Sequence, residues 1–124
     1  MTIKVLAIDD SRTIRSLVQK VMEDAGFQCA LADDGVQGVA RFQQDPPDVV
    51  ITDINMPNMD GYGVISAIRG GDVHRNVPIL VLTTESAPHL KAKAREAGAT
   101  GWIVKPFDDA AIVSVVRRVT GARA

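Results

Sequence analysis

Three aspartates, a threonine and a lysine stand where apolar runs of this 124-residue chain end, and together they could manage a divalent metal and a phosphoryl group. Val5-Leu6-Ala7-Ile8 runs into Asp9-Asp10, and Val49-Val50-Ile51-Thr52 runs into Asp53, followed by Asn55 and Pro57. Ile79-Leu80-Val81-Leu82 ends at Thr83-Thr84, and Trp102-Ile103-Val104 ends at Lys105-Pro106. If the four runs are neighbouring parallel strands, their polar tips gather on one edge of one sheet. Magnesium suits such a set, because it takes oxygen ligands, keeps several waters and needs only one or two carboxylates besides phosphate.

Each residue also has a plainer use. An aspartate before a helix caps it and stabilises it by about 0.5–2 kcal/mol. A threonine often closes a strand, and a lysine is usually solvated. Capping, however, needs only one of the two adjacent acids. Placing Asp53 beside Asp9 and Asp10 costs about 4 kcal/mol per pair at about 4 Å and an effective dielectric near 20. A fold tolerates that cost only where a cation or a proton compensates. Lys105 supplies one positive charge and a divalent metal two more. Pro106 biases Lys105 toward extended backbone and permits a tight turn that aims its ammonium inward.

The elements that must carry these tips alternate strand and helix five times. Ile3 to Ile8 is short, apolar and rich in β-branched residues, as a buried strand should be. From Arg12 to Ala25, the residues Ile14, Leu17, Val18, Val21, Met22 and Ala25 share one helical face. Ser11 or Asp10 caps that helix and Gly26 stops it. A strand over Gln28 to Ala32 and a helix over Val36 to Gln43 follow. Val49 to Thr52 is the third strand, and Gly61 opens a helix through Val64, Ile65 and Ile68 to Gly70-Gly71. Ile79 to Leu82 is the fourth strand. The next helix runs from Pro88 to Gly98 on a thin apolar face of Leu90, Ala92, Ala94 and Ala97. Gly101 to Val104 is the fifth strand, and the last helix packs through Ile112, Val115, Val116 and Val119. Short βα connections of this kind predict an α/β fold with a parallel sheet, right-handed crossovers and helices on both faces. Its ligand site is expected at the carboxyl ends of the strands.

Composition narrows the class. A hydrophobic fraction of 46% with 23% charged residues fits a soluble globular domain. The net charge of −1 offers no basic excess for nucleic acid. No apolar run approaches the roughly eighteen residues of a membrane span, and Asp9-Asp10 cuts short the run that a signal peptide would need. The single cysteine, Cys29, excludes an internal disulfide, fits a reducing compartment and is expected to be buried. A cytoplasmic monomer of one domain over residues 1–124 is expected, without a linker or an output domain. His74 and His89 lie in polar segments and receive no role.

The order and spacing of Asp9-Asp10, Asp53-Ile54-Asn55-Met56-Pro57-Asn58-Met59-Asp60-Gly61, Thr83 and Lys105-Pro106-Phe107 resemble the receiver domain of two-component response regulators. The resemblance covers the whole chain and is nearest to the stand-alone chemotaxis regulators. It implies a doubly wound, flavodoxin-like sheet of five strands in the order 2-1-3-4-5 with five helices. It also implies that Asp53 accepts a phosphoryl group from a histidine kinase, a histidine phosphotransfer domain or a small phosphodonor. Asp10, Asp53 and the main-chain carbonyl of Asn55 would hold Mg2+, with Asp9 acting largely through water. Lys105 would pair with one phosphoryl oxygen and Thr83 would donate to another, beside the turn at Pro106. Asn55 and Glu85 fall where the family modulates hydrolysis of the acyl phosphate. Trp102 occupies the switch-aromatic position, which usually holds Tyr or Phe, and a buried indole N–H there needs a partner.

On that resemblance the chain is a signalling protein rather than an enzyme, with a phosphorylation-dependent target such as the flagellar motor switch. A phosphate sink or relay intermediate is the second reading within the family. The thin-faced fourth helix is expected to be the mobile piece, and Lys91, Lys93, Arg95, Arg117 and Arg118 would form a basic output surface. Arg12, Arg15 and Lys20 would meet the kinase or phosphotransfer domain. An aspartyl-phosphate phosphohydrolase of the haloacid dehalogenase type is disfavoured, since Asn55 stands where its acid would be. A flavin site is disfavoured by the acidic cluster.

Overall fold

Apolar alternation decides how the chain folds in the computed structural model, which describes residues 2–121; residue 1 and residues 122–124 of the expected 1–124 domain lie outside the described residues. The strands are β1 (Lys4–Ile8), β2 (Gln28–Ala32), β3 (Val49–Thr52), β4 (Ile79–Thr83) and β5 (Gly101–Val104). The helices are α1 (Arg12–Asp24), α2 (Gly35–Gln44), α3 (Gly61–Gly70), α4 (Pro88–Ala97) and α5 (Asp109–Thr120). All strand pairs are parallel, in the order β2-β1-β3-β4-β5. The chain reverses its direction of growth across β1 and β3, which is the switch point where such sheets bind ligands.

Successive strand side chains enter opposite layers. Leu6, Ile8, Val50, Ile79 and Val81 meet Phe42 of α2, Val64, Ile65 and Ile68 of α3, and Ala94 of α4. Val5, Ala7, Val49, Ile51, Leu80 and Leu82 meet Val18 and Met22 of α1, and Ile112 and Val116 of α5. Burial on both faces pins the register, since a slip of one residue would exchange the two sets. In that register Ile8 lies level with Thr52, and Thr83 with Val104. Asp9 and Asp53 therefore leave the sheet side by side.

Local signals start four of the helices. Ser11, rather than Asp10, caps α1 by accepting from the Ile14 N–H. Asp34, Asp60 and Asp108 cap α2, α3 and α5 in the same way. Ala87 precedes α4 without any side-chain cap, and Pro88 opens it. Ala94 is the one buried residue of α4. Leu90 and Ala97 are half-buried. Ala92, expected on the same face, is exposed because it lies on the side turned away from α3 and the sheet residues that cover Ala94.

Two further expectations need correction. Leu17 was expected on the buried face of α1, yet it is 47% exposed. It lies one position off the line of Ile14, Val18, Met22 and Ala25, at the edge of the buried face. Cys29 is only partly buried, because β2 is an edge strand. Burial nevertheless pushes its thiol up to about 12, and Glu23 adds to the effect.

Gly61 illustrates a close approach that only glycine allows. A Cβ on it would collide with the carbonyl oxygen of Asp53, and its N–H donates to the Ile54 carbonyl at 2.8 Å. Gly70, at the other end of α3, would meet nothing within 4 Å. In urea denaturation Gly61→Ala should lose about 1–3 kcal/mol through forced backbone movement. Gly70→Ala should gain about 0.4–1 kcal/mol by restricting the unfolded chain. Equal effects at the two positions would contradict the packing described.

Cys29 supplies a pH dependence of defined sign. Its thiol ionises near 9.0 when free and is pushed up to about 12 in the fold, so above 9.0 the unfolded chain releases the proton first. Folding stability should therefore fall as pH rises between those values, and be unaffected by this group below them. Cys29→Ala should remove that part of the decline when urea midpoints are compared across the same range. Parallel curves for both proteins would mean that the thiol is solvated.

Candidate functional site

The carboxyl edge of the sheet carries one ammonium among three carboxylates. Lys105 Nζ donates to Asp9 Oδ2 at 2.7 Å and to Asp53 Oδ2 at 2.9 Å. Asp9 and Asp53 are buried and Asp10 is exposed, and the three offer ligand oxygens that all lie within 4.8 Å of one another. Further backbone donors hold the buried pair. The Ser11 N–H donates to Asp9 Oδ1 at 2.9 Å, and the Ile54 N–H donates to Asp53 Oδ1 at 2.6 Å. The Lys105–Pro106 peptide bond is cis.

Electrostatics explains why the pairing is strong. Burial raises the Asp9 carboxyl above its usual range, and Asp53 adds to this, while Lys105 and the Ser11 N–H oppose it. Burial alone would pull the Lys105 ammonium down, but its hydrogen bonds to Asp9 and Asp53 outweigh that and hold it above the ordinary lysine value. The ammonium therefore stays charged at neutral pH. Three carboxylates against one ammonium leave two negative charges without a partner in the cluster. An all-oxygen donor set with that deficit suits a hard divalent cation such as Mg2+, with Asp10 open to solvent for ligation.

The neighbouring loops converge on Glu85. Its N–H donates to Thr83 Oγ1 at 3.3 Å, Asn55 Nδ2 donates to its side-chain Oε1 at 3.3 Å, and Trp102 Nε1 donates to its carbonyl at 2.9 Å. Thr83 is fully buried at the end of β4. The indole thus has the partner that its N–H requires, and it ties β5 to the loop after β4. Asp9, Asp10, Asp53, Asn55, Thr83, Glu85, Trp102, Lys105 and Pro106 are in this way gathered on one sheet edge and the loops beside it.

Two supporting contacts escaped sequence reasoning. Arg15, expected to face a kinase, also braces the site: Nη1 of its half-buried side chain donates to the Asp9 carbonyl at 2.7 Å. Its place four residues after Ser11 was the available signal, since side chains lean back toward the start of a helix. Asn58 adopts a left-handed φ of 68°, and its amide donates to Asp34 at 2.8 Å. That bond moors the loop after Asp53 to the start of α2.

Comparison with known proteins agrees with this geometry. Residues 5–117 match the family model described as the response regulator receiver domain. The chain is 36% identical over 110 residues to Chemotaxis protein CheY-3 of Vibrio cholerae, covering 88% of this chain and 85% of that protein. It is 38% identical over 123 residues to the probable transcriptional regulator ycf27 of Guillardia theta, covering 96% of this chain but only 47% of that protein. Among solved structures, chemotaxis protein CheY4 of Vibrio cholerae superimposes with a TM-score of 0.91 at 41% identity, covering 96% of this chain and 99% of that one. With the acidic cluster, the lysine bridge and the strand order all in place, the chain belongs to the response regulator receiver domains, the signalling domains of two-component systems.

Proposed function

We propose that Asp53 is the phosphoacceptor of a phosphorylation-activated signalling protein. The observation that carries this reading is the Lys105 ammonium seated between Asp9 and Asp53, with Asp10 close by. In the transfer an Asp53 oxygen bonds to phosphorus as the donor's nitrogen–phosphorus bond breaks, and the imidazole departs with that electron pair. Asp10, Asp53 and the Asn55 main-chain carbonyl would hold Mg2+, which when bound supplies positive charge against the phosphoryl oxygens. Asp9, whose oxygens accept from the Ser11 N–H and Lys105, would act on the metal largely through water, as the family resemblance implies. Lys105 turns from the carboxylates to a phosphoryl oxygen, and Thr83 donates to another. Asn55 and Glu85, in contact across the site, would set how long the acyl phosphate survives.

The donor is a histidine kinase, a histidine phosphotransfer domain or a small phosphodonor. Phosphorylation adds about −1.5 to −2 charges, enough to bias the loop that joins Thr83, Glu85 and Trp102. The likeness to CheY-3, which extends over most of both chains, supports a chemotaxis module that acts in the cytoplasm on a target such as the flagellar motor switch. Among the described residues no helix is long and apolar enough to cross a membrane. The match to longer transcriptional regulators supports a different output as the second reading; a phosphate sink or relay intermediate without a target is the other alternative within the family.

Incubation with acetyl phosphate and Mg2+ should add the mass of one phosphoryl group to the wild-type protein and none to Asp53→Asn. Undiminished labelling of the variant would move the acceptor elsewhere. Capture by an immobilised flagellar motor switch protein should strengthen with beryllofluoride and Mg2+ relative to Mg2+ alone. Binding that ignores the mimic, or no binding, would favour the sink.

A further inference from the structure

Helix α4 lacks the fastenings of its neighbours. It has no side-chain N-cap and buries only Ala94. Two side chains of α3 hold it instead. Near its start, Tyr62 donates its hydroxyl proton to the Leu90 carbonyl at 3.2 Å, and the Lys93 ammonium sits 4.1 Å from the centroid of the same tyrosine ring. At its end, Arg69 donates through Nε and Nη2 to the Gly98 carbonyl at 3.0 and 2.8 Å, and through Nη1 to the Val77 carbonyl at 2.6 Å.

The two attachments differ in strength. Arg69 makes charge-assisted bonds that also tie in the loop before β4, and such bonds are the strong class. Gly98 is shaped to receive it: its φ is +115°, and a Cβ there would press on Arg69 Cγ at 2.9 Å. Tyr62 and Lys93 offer one neutral hydrogen bond and one solvent-facing cation–π contact, each modest. A helix held firmly at one end and lightly at the other has one easy motion, a swing about the firm end.

The geometry points to Tyr62 and Lys93 as positioning residues that form a releasable latch on α4, with Arg69 and Gly98 as the pivot. Tyr62 directly follows Gly61, whose N–H is bonded to the Ile54 carbonyl beside Asp53. A shift of the acceptor loop therefore reaches α4 through Tyr62, by a route separate from Thr83, Glu85 and Trp102. The swing changes the 220 Å³ groove between α4 and β5, which is lined by Lys91, Ala94, Arg95 and Trp102. The use made of the swing rests on the phosphoacceptor reading, whereas the swing itself does not.

Native-state hydrogen exchange on the full chain, without phosphodonor or added metal, tests the latch. Tyr62→Phe keeps the ring and removes the hydroxyl, and should speed exchange at the amides of Ala92, Lys93 and Ala94 by roughly threefold to tenfold. Lys93→Met should speed the same amides by about twofold to fivefold. The amides of Gly98 and Ala99 at the pivot, and those of β1 and β3, should keep their wild-type rates in both variants. Acrylamide should quench Trp102 emission more strongly in both variants than in the wild type. Unchanged α4 exchange, acceleration spread evenly over the core, or unchanged quenching would each overturn the latch. The same pattern should persist in an Asp53→Asn background, so loss of the phosphoacceptor reading would leave it standing.

Discussion

Parallel register is the constraint on which this molecule depends. It brings Asp9 and Asp53, far apart in sequence, to the same level of one sheet edge, with the Lys105 ammonium between them. Lys105 lies 96 residues from Asp9 along the chain, so no local structure could create the contact. Closing so long a loop carries an entropic cost that the ion pair alone would not offset. The buried alternation of both sheet faces does the work, and the acids ride on it. A single-residue slip in β1 or β3 would turn their side chains to the other face.

That arrangement is unfavourable unless something cationic completes it. Repulsion among carboxylates in partial burial amounts to several kcal/mol, by the same estimate of about 4 kcal/mol per close pair. One lysine offsets part of it and two negative charges remain. The site is therefore built to prefer whatever brings compact positive charge, and then whatever oxyanion that charge can hold. Electrostatic strain of this kind, held by rigid strands, is a means of binding rather than a defect.

Much of this was legible in the sequence, for identifiable reasons. The bounds of β2, β3 and β5 follow from short apolar runs closed by polar or glycine residues. The site residues stood out because they end those runs, where parallel sheets place their ligands. Leu17 was misjudged because periodicity marks a face but not its edges, and Leu17 stands at the edge. Arg15 was taken for surface because charge suggests solvent, yet its guanidinium caps a strand-end carbonyl. The contact of Tyr62 with Lys93 gave no signal, since it depends on the packing of α3 against α4. Contacts that cross between elements without an apolar pattern are the ones a sequence conceals.

Rigidity is unevenly distributed, and the distribution follows the chemistry. Group transfer needs its reacting atoms held within narrow limits, and the acids and the lysine sit at the ends of central, buried strands. Signal output needs the opposite, an element with two accessible positions separated by little free energy. Four helices carry side-chain caps at their starts, and each of them buries at least two residues. The fifth, α4, buries one and borrows its fastenings from α3. Small charge changes at a stiff site can move only what is weakly held, and α4 is the most weakly held helix described here. The close packing around Asp53 and the light packing of α4 are thus two consequences of one allocation of burial.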